Sequence, residues 1–229
     1  VTYCASNPTN NTYSYISNVQ FNTINNASTG CASYTDFTAI STTVIKGNTH
    51  NLTIIKKNDC TGTTEYTGRF AAWIDWNQNG IFEAGEQVLT DAAASNGPLT
   101  AAVTIPVGAL TGPTRMRCIF REGTIAPPAC GAYSSWGETE DYTIVVVNPL
   151  PVLTTSKSND VDCSNASSQL NVTGAIQYAW MPSGTLNNAS IQNPIASPST
   201  TTNYIVTGKD INGCSNTDSI TVLVTAANS

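Results

Sequence analysis

The chain has 229 residues, of which 40% are apolar and only 10% are charged, and its formal net charge is −6. This length suits one large domain or two modest ones, with enough apolar residues for folded cores. The negative charge excludes nucleic acid as an expected partner, because an acidic surface repels a phosphate backbone. No apolar run reaches the roughly 18 residues of a transmembrane segment. The N-terminus lacks the features of a signal peptide, so we expect a mature or excised chain.

The predicted secondary structure is almost entirely β. Apolar residues alternate with polar ones, or form short runs rich in β-branched and aromatic residues, and clusters of Gly, Asn and Pro separate these runs. Short strands at this spacing predict β-sandwiches. In chain order, the candidate strands before residue 149 are SYISNVQFNTI, TVIKG, HNLTIIKK, GRFAAWIDW, AAVTIPV, TRMRCIFRE and DYTIVVVN.

A change in composition divides the chain near residue 149. A β-rich run ends at Val147, and Pro149 and Pro151 interrupt any continuing strand. We therefore predict an all-β protein with two β-sandwich modules in tandem. The larger module occupies residues 1–148 and the smaller one residues 149–229.

The cysteines predict disulfide bonds and an extracellular location. None of the seven forms a Cys-x-x-Cys pair, and the single histidine, His50, cannot complete an ordinary zinc site. Disulfides occur in exported proteins, so we expect a secreted or cell-surface chain. The smaller module holds only Cys163 and Cys214, which we predict to pair. The larger module holds the other five, which are Cys4, Cys31, Cys60, Cys118 and Cys130.

Five cysteines leave one thiol unpaired, and sequence reasoning alone leaves the pairing of the other four open. In TRMRCIFRE the alternation places Met116, Cys118 and Phe120 on one face and the arginines mostly on the other. That face is expected to be buried. Cys118 is therefore the candidate for the free thiol.

The stretch DWNQNGIFEAGE, residues 75–86, matches a calcium loop. Calcium prefers oxygen ligands, and the pattern D-x-[DN]-x-[DN]-G-x5-E supplies them at fixed positions. The predicted structural Ca²⁺ ligands are Asp75, Asn77, Asn79, the backbone carbonyl of Ile81, and Glu86. Strands flank the loop, so no helix-loop-helix sensor is expected, and affinity should be weak, about 0.1–1 mM. The alternative is a hairpin turn made by Asn-Gly that needs no ion.

A second acidic stretch reads SSWGETEDYTIVVV. Glu138 and Glu140 fall on one face of a strand, about 7 Å apart by strand rise, and Asp141 points to the other. Paired carboxylates at this distance can serve glycoside hydrolysis. Protection of an edge strand, or a share in the calcium shell, is the interpretation we favour, because no substrate cleft is evident.

Several of these motifs together resemble the GEVED domain of secreted Bacteroidetes proteins, over nearly all of residues 3–147. Thr139 stands where the name-giving motif has Val. The resemblance implies an all-β accessory module of exported proteins, with no established catalytic residues. It also implies the pairs Cys4–Cys130 and Cys31–Cys60. The segments that carry it are YC from Tyr3, YISNVQFNTINNAS, YTDFT, AAWIDWNQNGIFEAGEQV, VTIPVGALTGPTRMR and GETEDYTI.

The smaller module resembles an immunoglobulin-like sandwich. It is similar to the immunoglobulin-like or PKD-like modules of large Bacteroidetes surface proteins, in which a stretch such as Tyr204 to Cys214, YIVTGKDINGC, closes the fold. Trp180 lies between the two cysteines and is the expected core anchor.

These features favour a non-enzymatic, extracellular structural or adhesive protein, such as a filament or stalk subunit with a calcium-stabilised loop. His50 has no nucleophile motif around it, and the chain lacks a phosphate loop and a metalloprotease motif. The expected partners are copies of itself or other surface proteins. The alternative is a carbohydrate- or protein-binding accessory region of a secreted hydrolase, with glycans stacked on Trp76, Tyr133 and Trp136. These aromatics could equally be core residues.

Overall fold

A computed structural model describes residues 1–58, 60 and 66–225 of the chain. It divides into two compact units, Val1–Val147 and Asn148–Ser229. The all-β prediction is confirmed, since within the described ranges the only helical segment is the short 3₁₀ turn Ala84–Glu86. No helix among the described residues is long and apolar enough to cross a membrane.

The described residues of the first unit form ten strands in two sheets. They are β1 (Ser6–Asn10), β2 (Tyr15–Phe21), β3 (Ile24–Ala27), β4 (Tyr34–Ile45), β5 (Thr49–Lys57), β6 (Gly68–Ile74), β7 (Gln87–Thr90), β8 (Leu99–Thr104), β9 (Gly112–Glu122) and β10 (Gly131–Val147). The larger sheet has the order β1-β10-β9-β6-β7, with β4 also pairing with β10. The smaller sheet has the order β3-β2-β5-β8.

The strand β10 organises the larger sheet. It pairs antiparallel with β9 along one side. On its other side it pairs in parallel with β1 near its start and with β4 near its end. Since β10 has partners on both sides, it is an internal strand. The expectation that its acidic residues protect a sheet edge is therefore wrong.

Side chains that alternate along the strands form two apolar clusters in this unit, one between the two sheets and one on the outer face of the larger sheet. The inner faces of the two sheets enclose the main core, to which the larger sheet contributes Phe70, Ile74, Met116 and Phe120. The predicted inner face of β9 is thus the observed one, and Cys118 is a fully buried free thiol. The outer face carries a second cluster, in which Trp73, Phe82, Ile119 and Tyr133 are covered by Tyr3 and Cys4 of the N-terminal segment.

In the second unit, the residues that the structure describes form a sandwich of two three-stranded sheets. Its strands are β11 (Thr154–Lys157), β12 (Ser168–Thr173), β13 (Gln177–Met181), β14 (Ile195–Ala196), β15 (Thr202–Lys209) and β16 (Ser215–Val222). The sheet orders are β11-β12-β14 and β13-β15-β16. This separation of the first, second and fourth strands from the third, fifth and sixth is the immunoglobulin arrangement. Trp180 and Tyr204 lie fully buried in its core.

The predicted Cys163–Cys214 bond is wrong, because both cysteines are free in the structure. Cys163 lies two residues after Val161, which bridges Val224 beyond the C-terminal end of β16. Cys214 immediately precedes the N-terminal end of the same eight-residue strand. Strand rise separates these ends by about 25 Å, whereas disulfide-bonded residues have Cα atoms about 4.4–6.8 Å apart.

Gly137 allows β9 and β10 to approach closely at the start of the acidic stretch. Its φ is +146°, and an added Cβ would lie 2.1 Å from the carbonyl oxygen of Phe120. We expect Gly137→Ala to lower the free energy of unfolding by roughly 2–4 kcal/mol, because both the backbone conformation and the clash oppose it. Urea unfolding measures this loss.

Gly123→Ala is the matched control for that substitution. Gly123 also has a positive φ, +93°, but an added Cβ there meets nothing within 4 Å. Its replacement should therefore cost only the conformational strain, about 1–2 kcal/mol. Equal losses in the two variants would show that the close approach at Gly137 contributes nothing.

Candidate functional site

The acidic loop, residues 75–86, connects β6 to β7 on the outer side of the larger sheet. Asp75 follows the last residue of β6 and is fully buried. The loop turns where Gln78 and Gly80 adopt positive φ values of +55° and +84°. An added Cβ at Gly80 would lie 2.5 Å from the Val1 side chain, so the loop packs closely against the N-terminus.

Asp75 closes the first half of the loop. One carboxylate oxygen accepts the amide N–H of Asn79 at 3.2 Å, and the other accepts that of Gly80 at 3.0 Å. The Tyr3 hydroxyl donates a third hydrogen bond, 2.7 Å long. Asp75 therefore fixes both the turn and the N-terminal segment that crosses it.

Glu86 closes the second half. Its Oε1 accepts the amide N–H groups of Trp76 at 2.9 Å and Asn77 at 3.3 Å, and its Oε2 accepts that of Glu83 at 3.2 Å. Burial raises the pKa of Glu86, whereas these backbone donors lower it. The two ends of the loop are thus held together by one buried carboxylate.

The remaining oxygen-bearing side chains meet on the exposed side of the loop. The amide groups of Asn77 and Asn79 donate to the two carboxylate oxygens of Glu83, at 3.0 and 3.2 Å. Their own amide oxygens accept the backbone N–H groups of Asn79 and Ile81, at 3.0 and 2.7 Å. The side chains of the predicted ligands Asp75, Asn77, Asn79 and Glu86 therefore all take part in the hydrogen bonds of this loop, together with Glu83.

The donor set fits a hard cation, because every predicted ligand atom is an oxygen. The described residues contain no group of three or more His, Cys, Asp or Glu that could hold a metal. The predicted site combines two carboxylates with the amide oxygens of Asn77 and Asn79 and the carbonyl oxygen of Ile81. A carboxylate offers about four lone-pair sites. Since Asp75 and Glu86 each already accept three hydrogen bonds, coordination through one oxygen suits Glu86 better than the bidentate coordination that the last Glu of such a loop usually provides.

The second acidic stretch has its carboxylates on opposite faces of β10. Glu138 and Glu140 point into the sandwich and are fully buried. Glu138 accepts the Thr35 hydroxyl at 2.7 Å and the Ile16 amide N–H at 2.9 Å. Glu140 accepts the hydroxyls of Ser28 at 2.9 Å and Tyr142 at 2.7 Å.

Burial raises the pKa values of both inner carboxyls, to about 7 for Glu138 and about 8 for Glu140. The nearby Glu138 carboxylate adds to the rise at Glu140, whereas hydrogen bonds from neighbouring hydroxyls oppose it. All their described hydrogen bonds link parts of the fold. The pair therefore behaves as a buried structural polar cluster.

Asp141 points to the outer face and pairs with Arg117. Arg117 Nε and Nη2 donate to its two oxygens at 2.8 and 2.7 Å, and both side chains are almost completely buried. The Tyr34 hydroxyl and Arg115 donate to the same carboxylate at 3.1 and 3.2 Å. Sequence reasoning placed the arginines on a separate face but missed this pairing, which becomes visible only once the register of β9 and β10 is known.

The aromatic residues considered for ligand stacking separate into two groups. Trp76 and Tyr133 are buried, with 7% and 5% of their surface exposed. Trp136 is 38% exposed and packs against Tyr13, which also packs against Tyr66. Sequence reasoning missed these tyrosines, because they lie in connecting segments far apart along the chain.

Two disulfide bonds join Cys4 to Cys130 and Cys31 to Cys60. These are the pairs that the family resemblance implies. Disulfides are typical of extracellular proteins. The first bond ties the N-terminal segment to the residue that precedes β10.

Residues 69–145 match the model of the GEVED domain. The resemblance is confirmed over this segment, which runs from β6 through the acidic loop to β10. The predicted resemblance of residues 3–68 lies outside the match and stays a prediction. No curated protein matches the chain.

The solved structures with weak similarity to this chain include two bacterial adhesins. Murine CEACAM1b aligns over 80% of this chain and 95% of its own, with 10% identity and a TM-score of 0.30. A bacterial ice-binding adhesin aligns over 80% of this chain and 60% of its own, with 15% identity and a TM-score of 0.28. Adhesin InvE of Yersinia pseudotuberculosis aligns over 80% and 56%, with 12% identity and a TM-score of 0.28. At these scores the likeness carries no functional argument.

The buried carboxyls generate a prediction about pH. Because the folded state raises the pKa values of Glu138 and Glu140, it binds more protons than the unfolded chain between about pH 4.5 and pH 8. Stability should therefore fall as pH rises through this window and level off above it. We expect the melting temperature to follow this course in calorimetry.

Glu138→Gln/Glu140→Gln provides the matched comparison, since the amides keep the shape but do not ionise. The double variant should lose most of the pH slope between pH 5 and pH 8, and should melt above the wild type at pH 8. A wild-type melting temperature that rises across this window would contradict the assignment.

Proposed function

We propose that this chain is a force-bearing segment of an extracellular cell-surface protein, with a structural and adhesive role and no enzymatic activity. It would serve as a stalk segment or a filament subunit that contacts copies of itself or other surface proteins. The observation that supports this most strongly is the position of the disulfide Cys4–Cys130 relative to the ends of the first unit.

The first unit has its two chain ends at opposite ends of one long strand. Strand β1 pairs in parallel with the start of β10, with Ser6 opposite Gly131. The unit's C-terminal end, Val147, is the last of the 17 residues of β10. A strand of this length spans about 50 Å. Tension applied to both ends would therefore act along β10.

The disulfide places most of this unit outside the path of the force. Cys4 and Cys130 are separated by 126 positions in the sequence. Tension entering at the N-terminus passes from Cys4 through the bond to Cys130, and then along β10 to Val147. The residues between the two cysteines form a closed covalent loop and bear no direct tension.

The described residues of the second unit contain no disulfide that could carry tension past the strands, because Cys163 and Cys214 are free. Its first and last strands lie side by side. Thr155 donates two hydrogen bonds to Asp218, both 3.0 Å long, and Lys157 donates to the Thr221 carbonyl at 2.7 Å. Val161 and Val224 continue this contact as a parallel bridge. Tension on this unit would load these contacts in shear.

The acidic loop supports the same role, because it anchors the N-terminal segment. Tyr3 stacks on Phe82 with ring centroids 5.3 Å apart and donates to Asp75. We propose that the loop binds Ca²⁺ through Asp75, Asn77, Asn79, the Ile81 carbonyl and Glu86. When bound, the ion would supply rigidity only. At a free concentration about ten times the dissociation constant, it adds about 1.4 kcal/mol.

Single-molecule pulling tests the force path. With handles at both ends, the second unit should unfold and extend, whereas the first should release only its short segments outside the disulfide. The variant Cys4→Ser/Cys130→Ser lacks the bond that joins two positions 126 residues apart. The Cys31–Cys60 bond remains, so the 29-residue separation between those two cysteines still cannot extend. The variant should therefore extend by roughly 330 Å more than the wild type, at about 3.4 Å per residue.

Cys31→Ser/Cys60→Ser is the matched control. It removes a disulfide that lies inside the closed loop, so its total extension should equal that of the wild type. The force-bearing proposal fails if the wild type already shows the long extension. It also fails if both double variants extend equally.

Calcium binding has its own test at Glu83. Glu83 contacts Asn77 and Asn79 on the exposed side of the loop. Its carboxylate is not one of the proposed ligands, but it adds negative charge beside two of them, and it also forms a capping box with Glu86. Added Ca²⁺ should raise the melting temperature of the wild type relative to chelator, and Glu83→Gln should reduce that rise because it removes this charge.

Asp75→Asn serves as the comparison, because its carboxylate also holds the loop backbone and Tyr3. We expect this variant to lose stability in both calcium and chelator. If the wild type melts identically in calcium and chelator, the loop is a turn that needs no ion.

A further inference from the structure

An exposed aromatic cluster lies at one end of the larger sheet, formed by Tyr13, Tyr66 and Trp136. The rings of Tyr13 and Tyr66 have centroids 5.4 Å apart, and those of Tyr13 and Trp136 are 5.7 Å apart. The three side chains are 36%, 39% and 38% exposed. Contiguous exposed apolar surface of this kind often marks a binding site.

Two clefts flank Trp136. One has a volume of about 250 Å³ and is lined by Thr9, Asn10, Ser135 and Trp136. The other has a volume of about 400 Å³ and is lined by Tyr66, Thr67, Glu122, Gly123, Ser135 and Trp136. Trp136 and Ser135 are common to both. The indole therefore stands between two polar clefts, each large enough to hold part of a small ligand.

The polar groups in these clefts favour a neutral ligand rich in hydroxyl groups. They offer an amide at Asn10, hydroxyls at Thr9, Thr67 and Ser135, and a carboxylate at Glu122. The described residues that line the two clefts include no Lys or Arg, and the whole chain has a net charge of −6. The nearby Lys56 is 7% exposed, and its ammonium group is already hydrogen-bonded to the Asn58 side chain and the Tyr66 carbonyl. A phosphate or sulfate group would therefore meet more repulsion than attraction at this surface.

The backbone around the cluster is held in place by hydrogen bonds. The Ser135 hydroxyl donates to the Glu122 carbonyl at 2.8 Å, next to Trp136. The Ser14 hydroxyl, next to Tyr13, donates to Asn58 at 2.6 Å and also to the Glu122 carboxylate. Lys56 Nζ donates to the Tyr66 carbonyl at 2.7 Å. These contacts fix the segments that present the rings, and such preorganisation lowers the entropy cost of binding.

We propose that this surface binds a neutral oligosaccharide, with one sugar ring stacked on Trp136 and its neighbours in the two clefts. A hexose with equatorial substituents presents an apolar face of C–H groups, which packs on the electron-rich face of an aromatic ring. Its hydroxyls can then exchange hydrogen bonds with the amide, hydroxyl and carboxylate groups on either side. This site is independent of the force path through Cys4–Cys130.

The fluorescence of Trp136 can be used to measure ligand binding. The chain has four tryptophans, and the other three, Trp73, Trp76 and Trp180, are only 6%, 7% and 1% exposed. Fluorescence changes caused by a surface ligand should therefore come from Trp136. The full chain is titrated with cellohexaose and with chitohexaose, with a heparin-derived hexasaccharide as the anionic comparison, and affinities are confirmed by calorimetry.

We expect saturable binding of at least one neutral probe and none of the anionic probe. Trp136→Ala should weaken binding at least tenfold, whereas Trp136→Phe, which keeps a ring for stacking, should retain most of it. Tyr13→Ala should weaken binding in the same direction. Ile176→Ala is the control, since Ile176 is 63% exposed but belongs to the second unit. All variants are checked for an unchanged circular dichroism spectrum.

The proposal is overturned if neither neutral probe binds, or if Trp136→Ala and Trp136→Phe both bind as tightly as the wild type. Binding of the heparin hexasaccharide as tight as that of the neutral probes would also overturn it. If Trp136→Ala instead abolishes self-association without any sugar binding, the cluster is a contact between copies of the chain.

Discussion

The outer layer of the first unit depends on the buried ion pair between Arg117 and Asp141. Arg117 uses two nitrogens on the carboxylate, and its Nη1 also donates to the carbonyl oxygens of Cys4 and Ala129 at 2.9 and 2.8 Å. One side chain thus joins β9, β10 and the backbone on both sides of the Cys4–Cys130 bond. Burying charge is tolerated here because hydrogen bonds satisfy both partners. Removing either partner of such a pair costs roughly 3–5 kcal/mol.

From this pair, contacts lead to the acidic loop. Once Arg117 has fixed Cys4, Tyr3 lies between the Arg115 guanidinium, 4.4 Å from its ring centroid, and the ring of Phe82. Its hydroxyl reaches Asp75, which closes the loop. The GETED stretch and the acidic loop therefore meet through the N-terminal segment. Both acidic motifs therefore stabilise the N-terminal segment, through which tension would enter the unit under the proposed force path.

Sequence reasoning predicted what depends on local alternation and turn chemistry, and failed where distant segments meet. The alternation in TRMRCIFRE correctly separated the buried Cys118 from the arginines, and Pro149 and Pro151 mark the region where the two compact units meet along the chain. The parallel pairing of β1 and β4 with β10 leaves no local trace. The sequence predicts a Cys163–Cys214 bond because the smaller module holds no other cysteine. The positions of the two residues, however, follow from strand topology. The exposure of Trp136 and the burial of Trp76 likewise depend on which distant segments cover each side chain.

The inner carboxyls of β10 explain why a polar cluster persists inside an otherwise apolar sandwich. Strand β2 shifts register against β5 between Ile16 and Asn18, and at this irregularity the Ile16 amide N–H donates to Glu138. Glu140 reaches Ser28 just beyond β3. A buried polar group that lacks a partner is penalised, so the hydrogen bonds of Glu138 and Glu140 favour the observed alignment of the two sheets. The raised pKa values of both carboxyls mean that burial opposes their ionised forms.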